Sequence, residues 1–185
     1  MRLMTISAAL ALTLMSASYA AADPYVSPWA GVNFGSDIDK GRGAFGVRAG
    51  AMGAGAIGGE VNLGFSPSFF GTENDFGNNT VLDLMANVIV GIPIGGQHGP
   101  GFRPFAIAGL GLIRTQIDGG DIFNVSASNT DFAWNAGVGA MGYFNDHVGI
   151  RGDLTYLRNF NGDTIDTLDL GSLHYWRASL GVVFR

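Results

Sequence analysis

His174 is the one histidine of this sequence with both a serine and an aspartate close to it in the chain. Ser172 and Asp169 precede it, so the three side chains could in principle supply a base, a nucleophile and an orienting acid. A base must lie within hydrogen-bond distance of its nucleophile. Alternation, however, places His174 on the same apolar face as Trp176. We therefore expect no catalytic residues here and no enzymatic activity.

Six charged residues occupy positions that alternation assigns to a single, inward face. They are Arg48, Glu60, Asp83, Arg151, Asp153 and Arg177. If Gly53-Ala54-Gly55 is the centre of a hairpin, Arg48 and Glu60 face each other directly on neighbouring strands. Because buried charges are found paired, we expect a structural network of ion pairs in the interior. The alternative is a gated pore or a site for a small polar ligand.

The glycine-rich and acidic segments do not predict a cofactor or metal site. Gly109-Leu110-Gly111 and Gly137-Val138-Gly139 are not followed by helices, so the setting of a phosphate-binding loop is missing. Asp118-Gly119-Gly120-Asp121 and Asn161-Gly162-Asp163 offer oxygen ligands for Ca²⁺, but neither has a complete loop signature. Turn formation accounts for both segments, and we expect no cofactor and no metal.

Alternation of apolar and polar residues predicts eight strands along the chain. It is clearest in the last strand, where Trp176, Ala178, Leu180, Val182 and Phe184 are apolar at every second position. The predicted strands cover residues 25–34, 44–52, 56–66, 80–92, 102–115, 132–144, 147–160 and 173–184. In 102–115 the alternation is too blurred to assign faces. Each strand is long enough to cross a membrane, which takes about 9 to 11 residues.

The connections between these strands alternate in length. Residues 35–43, 67–79, 116–131 and 161–172 form long links, whereas 53–55 and 145–146 are short; only 93–101 is longer than this pattern predicts. Long outer loops and short inner turns are typical of outer-membrane barrels. Six aromatic residues are expected to form a girdle at the membrane interface. They are Trp29, Trp134, Tyr143, Phe144, Tyr156 and Trp176.

The composition is typical of a chain whose hydrophobic residues are dispersed along the sequence rather than gathered in long runs. The chain is 47% hydrophobic and contains 30 glycines and no cysteine among 185 residues. Its net charge of −5 argues against nucleic acid as a partner. The basic Arg2, the apolar stretch after it and the small residues near Ala20 and Ala22 predict a secretory signal peptide over residues 1–22. Cleavage after Ala20 or Ala22 would leave one domain, residues 23–185.

The signal peptide, the eight amphipathic strands, Gly109-Leu110-Gly111 and the terminal Val182-Val183-Phe184 resemble the outer-membrane β-barrel domain family, the small OmpA/OmpX-like, porin-like barrels. The resemblance covers residues 23–185. It implies an all-β fold, an eight-stranded antiparallel up-and-down transmembrane β-barrel in the outer membrane of a Gram-negative cell. It also implies a C-terminal assembly signal made of Trp176, Leu180, Val182 and Phe184. Arg185 departs from the family pattern, in which the aromatic residue usually ends the chain.

The resemblance implies three kinds of partner: outer-membrane lipid and lipopolysaccharide, the barrel-assembly machinery during insertion, and an extracellular ligand bound by the loops. The interior of an eight-stranded barrel is just wide enough for side chains. We therefore expect a structural or surface-interaction role through the extracellular loops. A small-solute or ion pore is the alternative. A lipid-modifying membrane enzyme and a soluble barrel of lipocalin type are further hypotheses.

Overall fold

The computed structural model describes residues 22–35, 38–69, 78–95, 99–118, 126–160, 164–165, 168–169 and 173–185. Its strands are β1 (Ala22–Gly35), β2 (Ile38–Gly53), β3 (Ile57–Pro67), β4 (Asn78–Gly91), β5 (Gly101–Asp118), β6 (Ser126–Tyr143), β7 (Val148–Asn159), β8 (Thr164–Ile165), β9 (Leu168–Asp169) and β10 (His174–Phe184). Eight of them, β1–β7 and β10, close into an antiparallel barrel, while β8 and β9 pair with each other. The predicted all-β, eight-stranded barrel is confirmed. The predicted signal peptide lies outside the described residues, apart from Ala22, and stays a prediction.

Side chains along each barrel strand alternate between the lumen and the outer surface. On β10 the residues from Tyr175 to Val183 that point inward are buried, and the intervening apolar residues are exposed. The outer surface carries large hydrophobic residues such as Val88, Leu110 and Leu180, whereas the lumen holds charged and amide side chains. Polar groups inside and apolar groups outside are typical of a barrel embedded in lipid. The described residues include no helix with the length and apolar character needed to span a membrane.

Two strands, β5 and β6, are each 18 residues long and extend further than alternation predicts. Their ladder runs from the Gly101↔Tyr143 pair to the Asp118↔Ser126 pair. Most residues of its outermost part are polar, so apolar alternation in the sequence does not predict the strands there. The face of β5 that could not be assigned is now clear, since Phe105, Ile107 and Ile113 point into the lumen and are buried. Apolar residues on both faces explain the blurred pattern.

The barrel has two different ends, which we name by their connections. The turn end contains the strand ends Gly53, Ile57, Tyr143 and Val148 together with both ends of the barrel chain. The loop end contains the opposite strand ends, which are Gly35, Ile38, Pro67, Asn78, Asp118, Ser126, Asn159 and His174. The 91–101 connection is long because the β4–β5 ladder continues into it. Ile94 pairs with Phe102 beyond the last residue of β4.

The β2–β3 turn sets the register of the charged residues. Ala54 and Gly55 both have positive φ, at 50° and 66°, and the Ala56 amide donates to the Gly53 carbonyl at 3.0 Å. This turn pairs Gly53 with Ile57, so Arg48 lies opposite Asn62 and Gly50 lies opposite Glu60. The predicted facing pair of Arg48 and Glu60 is therefore wrong. The hairpin centre lies one residue later than expected, which shifts the pairing by two residues and leaves both side chains inside.

Candidate functional site

The lumen holds two buried apolar clusters with a polar network between and beside them. The turn-end cluster consists of Tyr25, Met52, Ile89, Phe105, Ile107, Met141, Tyr143 and Val183. The loop-end cluster consists of Phe69, Val81, Met85, Ile113, Ala133, Leu157, Leu173 and Tyr175. A cavity in the polar network measures about 10 Å³. This volume accommodates about one water molecule, so the cavity offers no path for a solute.

Four of the predicted charged residues form one continuous chain of ion pairs. Arg151 donates through Nη1 to Glu60 Oε2 and through Nε to Asp153 Oδ2, the latter at 3.0 Å. Arg48 approaches the same aspartate from the other side, with Nη2 3.0 Å from Asp153 Oδ1. The Arg48 Nη2 atom also donates to the Ser179 hydroxyl at 2.7 Å. The chain thus runs from Glu60 through Arg151 and Asp153 to Arg48.

The remaining two charged residues form a separate bidentate pair. Arg177 Nη2 lies 2.6 Å from Asp83 Oδ1, and Arg177 Nη1 lies 3.1 Å from Asp83 Oδ2. Arg177 Nε donates to Asn33 Oδ1 at 2.8 Å, and Asn62 Nδ2 donates to Asp83 Oδ2 at 2.9 Å. A fork-to-fork pair with its remaining donors satisfied is the favourable geometry for a buried arginine.

Three arginines and three carboxylates balance each other in these pairs, and their side chains are between 0 and 4% exposed. Three pairs connect the first half of the barrel, β2 to β4, with β7 or β10 in the second half. These pairs are Arg48–Asp153, Glu60–Arg151 and Asp83–Arg177. The structure therefore brings all six residues into the lumen and ties the two halves of the chain together across it.

Trp29 belongs to this network, and its predicted place in the interface girdle is wrong. Its indole Nε1 donates to Asn62 Oδ1 at 3.0 Å. The guanidinium carbons of Arg48 and Arg177 lie 4.8 Å and 4.9 Å from the ring centroid, within cation–π range. Gly46 on β2 provides the space, since a β-carbon there would lie 2.8 Å from the indole. The sequence of β1 indicates this inward position, because polar Ser27 and Asn33 lie on the same face of the strand as Trp29.

Tyr143 was also expected in the girdle and instead lies in the turn-end cluster, 5% exposed. The guanidinium carbon of Arg185 lies 3.4 Å from its ring centroid, and that of Arg103 lies 5.5 Å away. The Arg185 amide donates to the His147 carbonyl at 2.9 Å. The residue that follows the terminal aromatic is therefore packed against the turn end of the lumen. The four residues of the predicted assembly signal face outward, with Trp176 41%, Leu180 66%, Val182 39% and Phe184 48% exposed.

Three outward-facing aromatic residues and His174 form what we call the aromatic patch, defined as Trp134, Tyr156, His174 and Trp176. The Tyr156 ring centroid lies 5.5 Å from Trp134, 5.2 Å from Trp176 and 6.3 Å from His174. His174 thus faces away from the lumen, as alternation predicts. Ser172, its proposed nucleophile, lies outside the described residues, as does the side chain of Asp169.

The predicted Ca²⁺-binding alternatives fall mostly on residues that the structure does not describe. Of Asp118-Gly119-Gly120-Asp121 only Asp118 is described, and 161–163 is not described at all. Among the described residues, no group of three or more His, Cys, Asp or Glu side chains could hold a metal ion.

Comparison with known families gives a match along nearly the whole chain. A family described as "Outer membrane protein beta-barrel domain" matches residues 7–184. A comparison with curated proteins finds no match.

Solved structures with the same fold come from several bacteria. Neisserial surface protein A is 16% identical with a TM-score of 0.65, covering 88% of this chain and 97% of that one. The N-terminal β-barrel domain of Pseudomonas aeruginosa OprF is 18% identical with a TM-score of 0.57, covering 87% and 95%. The attachment invasion locus protein Ail of Yersinia pestis, solved in complex with the heparin analogue sucrose octasulfate, is 15% identical with a TM-score of 0.55, covering 89% and 99%. At these identities the likeness establishes the fold alone.

Proposed function

Because this chain belongs to the outer membrane protein β-barrel domain family and resides in the bacterial outer membrane, we propose that it is a non-conducting barrel that acts through its extracellular loops. The loop end faces the exterior and the turn end faces the periplasm, which is the usual arrangement of long and short connections in such barrels. The side chains that fill the lumen make the barrel rigid and hold its loops in place.

The observation that supports this proposal is the filled lumen. Three ion pairs cross it, and apolar clusters lie toward both of its ends. An ion entering would have to displace charged partners that are already neutralised and pass side chains that offer it no hydrogen bonds. The side-chain-filled interior is typical of eight-stranded barrels.

We expect the refolded protein to produce no discrete current steps in a planar lipid bilayer. The measurement uses protein whose folding is verified by heat-modifiable migration in electrophoresis, with a general porin as the positive control and detergent alone as the negative control. Reproducible unitary steps from the folded protein would contradict the non-conducting barrel and favour the pore hypothesis.

The chemistry of the loops suggests what kind of partner they bind. The loops and their flanks carry many acidic residues, with Lys40, Arg42, Arg114 and Arg158 as the basic residues nearby. The acidic residues are Asp37, Asp39, Glu73, Asp75, Asp118, Asp121, Asp131, Asp163, Asp166 and Asp169. Such a surface attracts cationic partners and repels polyanions. A sulfated ligand, like the one bound in the Yersinia structure, therefore does not suit these loops, and we propose a basic protein or peptide surface as the extracellular partner.

Folded protein in micelles is expected to be retained by immobilised polylysine and not by immobilised heparin. Retention should weaken with salt, because the screening length falls from about 10 Å at 0.1 M to about 3 Å at 1 M. Asp163→Asn combined with Asp166→Asn should weaken retention, whereas Asp146→Asn at the turn end is the matched control and should not. Retention by heparin, or equal loss in both variants, would refute a basic partner.

The other proposed partners concern the membrane itself. We propose that the barrel-assembly machinery recognises the outward residues of β10, which present Trp176, Leu180, Val182 and Phe184 as one apolar row. A catalytic role for His174 has no support among the described residues, because its ring faces away from the lumen and lies beside Tyr156.

A further inference from the structure

One buried arginine takes no part in the ion pairs that cross the lumen. Among the described residues that are buried, four are arginines and three are carboxylates. The carboxylates are neutralised by Arg48, Arg151 and Arg177. Arg103 of β5 is 3% exposed and has no ion-pair partner in the part of the chain that the structure describes. Because an isolated charge is costly to remove from water, an anion beside Arg103 would stabilise this arrangement.

Two of the three guanidinium nitrogens of Arg103 have no hydrogen-bond acceptor. Nη1 lies 3.6 Å from the sulfur of Met52, which is a weak acceptor. Nε is buried, and no residue that the structure describes accepts a hydrogen bond from Nε or Nη2. These two nitrogens form one edge of the planar group. Two parallel N–H groups along such an edge match two oxygen atoms of one anion.

Two glycines provide the space in which the Arg103 side chain lies. A β-carbon at Gly91, the last residue of β4, would lie 3.1 Å from Arg103 Cγ. A β-carbon at Gly55 would lie 2.6 Å from Nη2 and 2.9 Å from Cζ. The aliphatic part of the side chain therefore packs against β4, and the guanidinium packs against the β2–β3 turn. This path directs the charge toward the turn end of the barrel.

The guanidinium of Arg103 lies close to the turn-end opening of the lumen, beside a second cation. Arg103 is the third residue of β5 and pairs with Met141, two residues before the end of β6 at Tyr143. Its guanidinium carbon lies 5.5 Å from the Tyr143 ring centroid, and that of Arg185 lies 3.4 Å from the same centroid. Asp23 of β1 lies at this end as well, but no ion pair joins it to Arg103 among the described contacts. Positive charge therefore predominates around the Tyr143 ring.

We propose that Arg103 is the centre of an anion site at the turn end, beside Arg185, that binds one phosphate group from the periplasmic side. The Nε–Nη2 edge of Arg103 donates two parallel hydrogen bonds to the phosphate oxygens, which the ammonium group of a lysine could not do. The phosphate supplies the counter-ion that the described lumen residues do not. Inorganic phosphate and the head group of a phospholipid in the periplasmic leaflet both offer this chemistry. The site goes beyond the proposed role of the loops, because it lies at the opposite end of the barrel.

Isothermal titration calorimetry of folded protein in maltoside micelles, with inorganic phosphate as the probe, tests the site. We expect one phosphate per chain at constant ionic strength. Arg103→Met keeps the length of the side chain and removes its charge, so it should lower the affinity about tenfold or more, the effect of losing hydrogen bonds to a charged group. Arg103→Lys keeps the charge without the planar edge and should lose part of the affinity. Arg114→Met is the matched control, because Arg114 is an exposed arginine of the same strand, and it should bind like the unmodified protein.

A second titration distinguishes the two sources of the phosphate. Dihexanoylphosphatidic acid presents the phosphate of a phospholipid in soluble form. Tighter binding of this lipid than of inorganic phosphate would identify a head group as the occupant, and equal affinities would identify the free anion; Arg103→Met should weaken both.

Three results would overturn the site: no phosphate binding by the unmodified protein, unchanged binding in Arg103→Met, or equal losses in Arg103→Met and Arg114→Met. Heat-modifiable migration of every variant verifies that a loss of binding is not a loss of folding. None of these results depends on the current or loop-binding measurements, so this proposal and the proposed function can fail separately.

Discussion

Replacing Arg177 with methionine is expected to destabilise the barrel by about 3–5 kcal/mol, the cost of removing one partner from a buried ion pair. Asp83 would be left buried and charged, with Asn62 as its remaining hydrogen-bond donor among the described contacts. The substitution also removes the Arg177–Asn33 hydrogen bond and the cation–π contact with Trp29. Reversible urea unfolding of protein refolded in lipid vesicles would measure the change.

A double substitution distinguishes the loss of charge balance from the loss of packing. Arg177→Met together with Asp83→Asn should recover a large part of the stability, because neither position then leaves an unpaired charge. Arg114→Met is the control for removing an exposed arginine and should change the stability by less than about 0.5 kcal/mol. The readout should be electrophoretic migration and circular dichroism rather than tryptophan fluorescence, since Trp29 lies directly beside the mutated side chain. A single variant as stable as Arg114→Met would contradict the assigned role of the pair.

Adding one methyl group at Gly139 is the second change with a large expected effect. A β-carbon there would lie 2.5 Å from the Gly152 carbonyl oxygen, 2.6 Å from Phe105 Cζ and 2.7 Å from Asp153 Cβ. The carbonyl is backbone within the β6–β7 ladder and cannot move without breaking hydrogen bonds. We expect Gly139→Ala to destabilise the protein by at least about 1–3 kcal/mol, the usual cost of overpacking. A reduced yield of the folded, heat-modifiable form should accompany the loss.

Gly142 on the same strand provides the matched control. It faces outward, and the nearest atom to an added β-carbon would be Ile150 Cγ1 at 3.8 Å. Gly142→Ala should therefore be neutral or slightly stabilising, because alanine restricts the unfolded chain more than glycine does. If both variants folded and unfolded alike, the tight packing of the lumen around Gly139 would be disproved.

Alternation in the sequence predicts whether a side chain points into the lumen or outward. It does not predict which residues that side chain contacts. Alternation along β2, β3 and β10 correctly assigns Arg48, Glu60 and Arg177 to the inside, since that assignment needs only neighbours in the chain. The ion-pair partners of these residues cannot be predicted in the same way. Arg48 meets Asp153, which is 105 positions away and across the lumen. Such a pairing depends on barrel closure and tilt, and neither leaves a local trace in the sequence.

The two misplaced aromatic residues illustrate a second limit. An aromatic side chain suits both a membrane interface and a barrel interior, so its type does not decide between them. The decision comes from its neighbours in alternation: Trp29 shares a face with Ser27 and Asn33, and Tyr143 shares one with the lumen-facing Asn135. The error at the β2–β3 hairpin has a different cause, because the left-handed conformation at both Ala54 and Gly55 moved the centre by one residue.

The ion pairs across the lumen also make the charge balance of the early strands depend on the last strands of the chain. Every described carboxylate in β3 and β4 is neutralised by an arginine from β7 or β10, strands that are synthesised last. A chain that stops before β10 therefore carries Asp83 without its counter-ion and cannot satisfy it by closing early. Pairing of these lumen carboxylates therefore requires the last strand of the barrel, and the electrostatic stabilisation of β3 and β4 is complete only when β10 has closed the sheet.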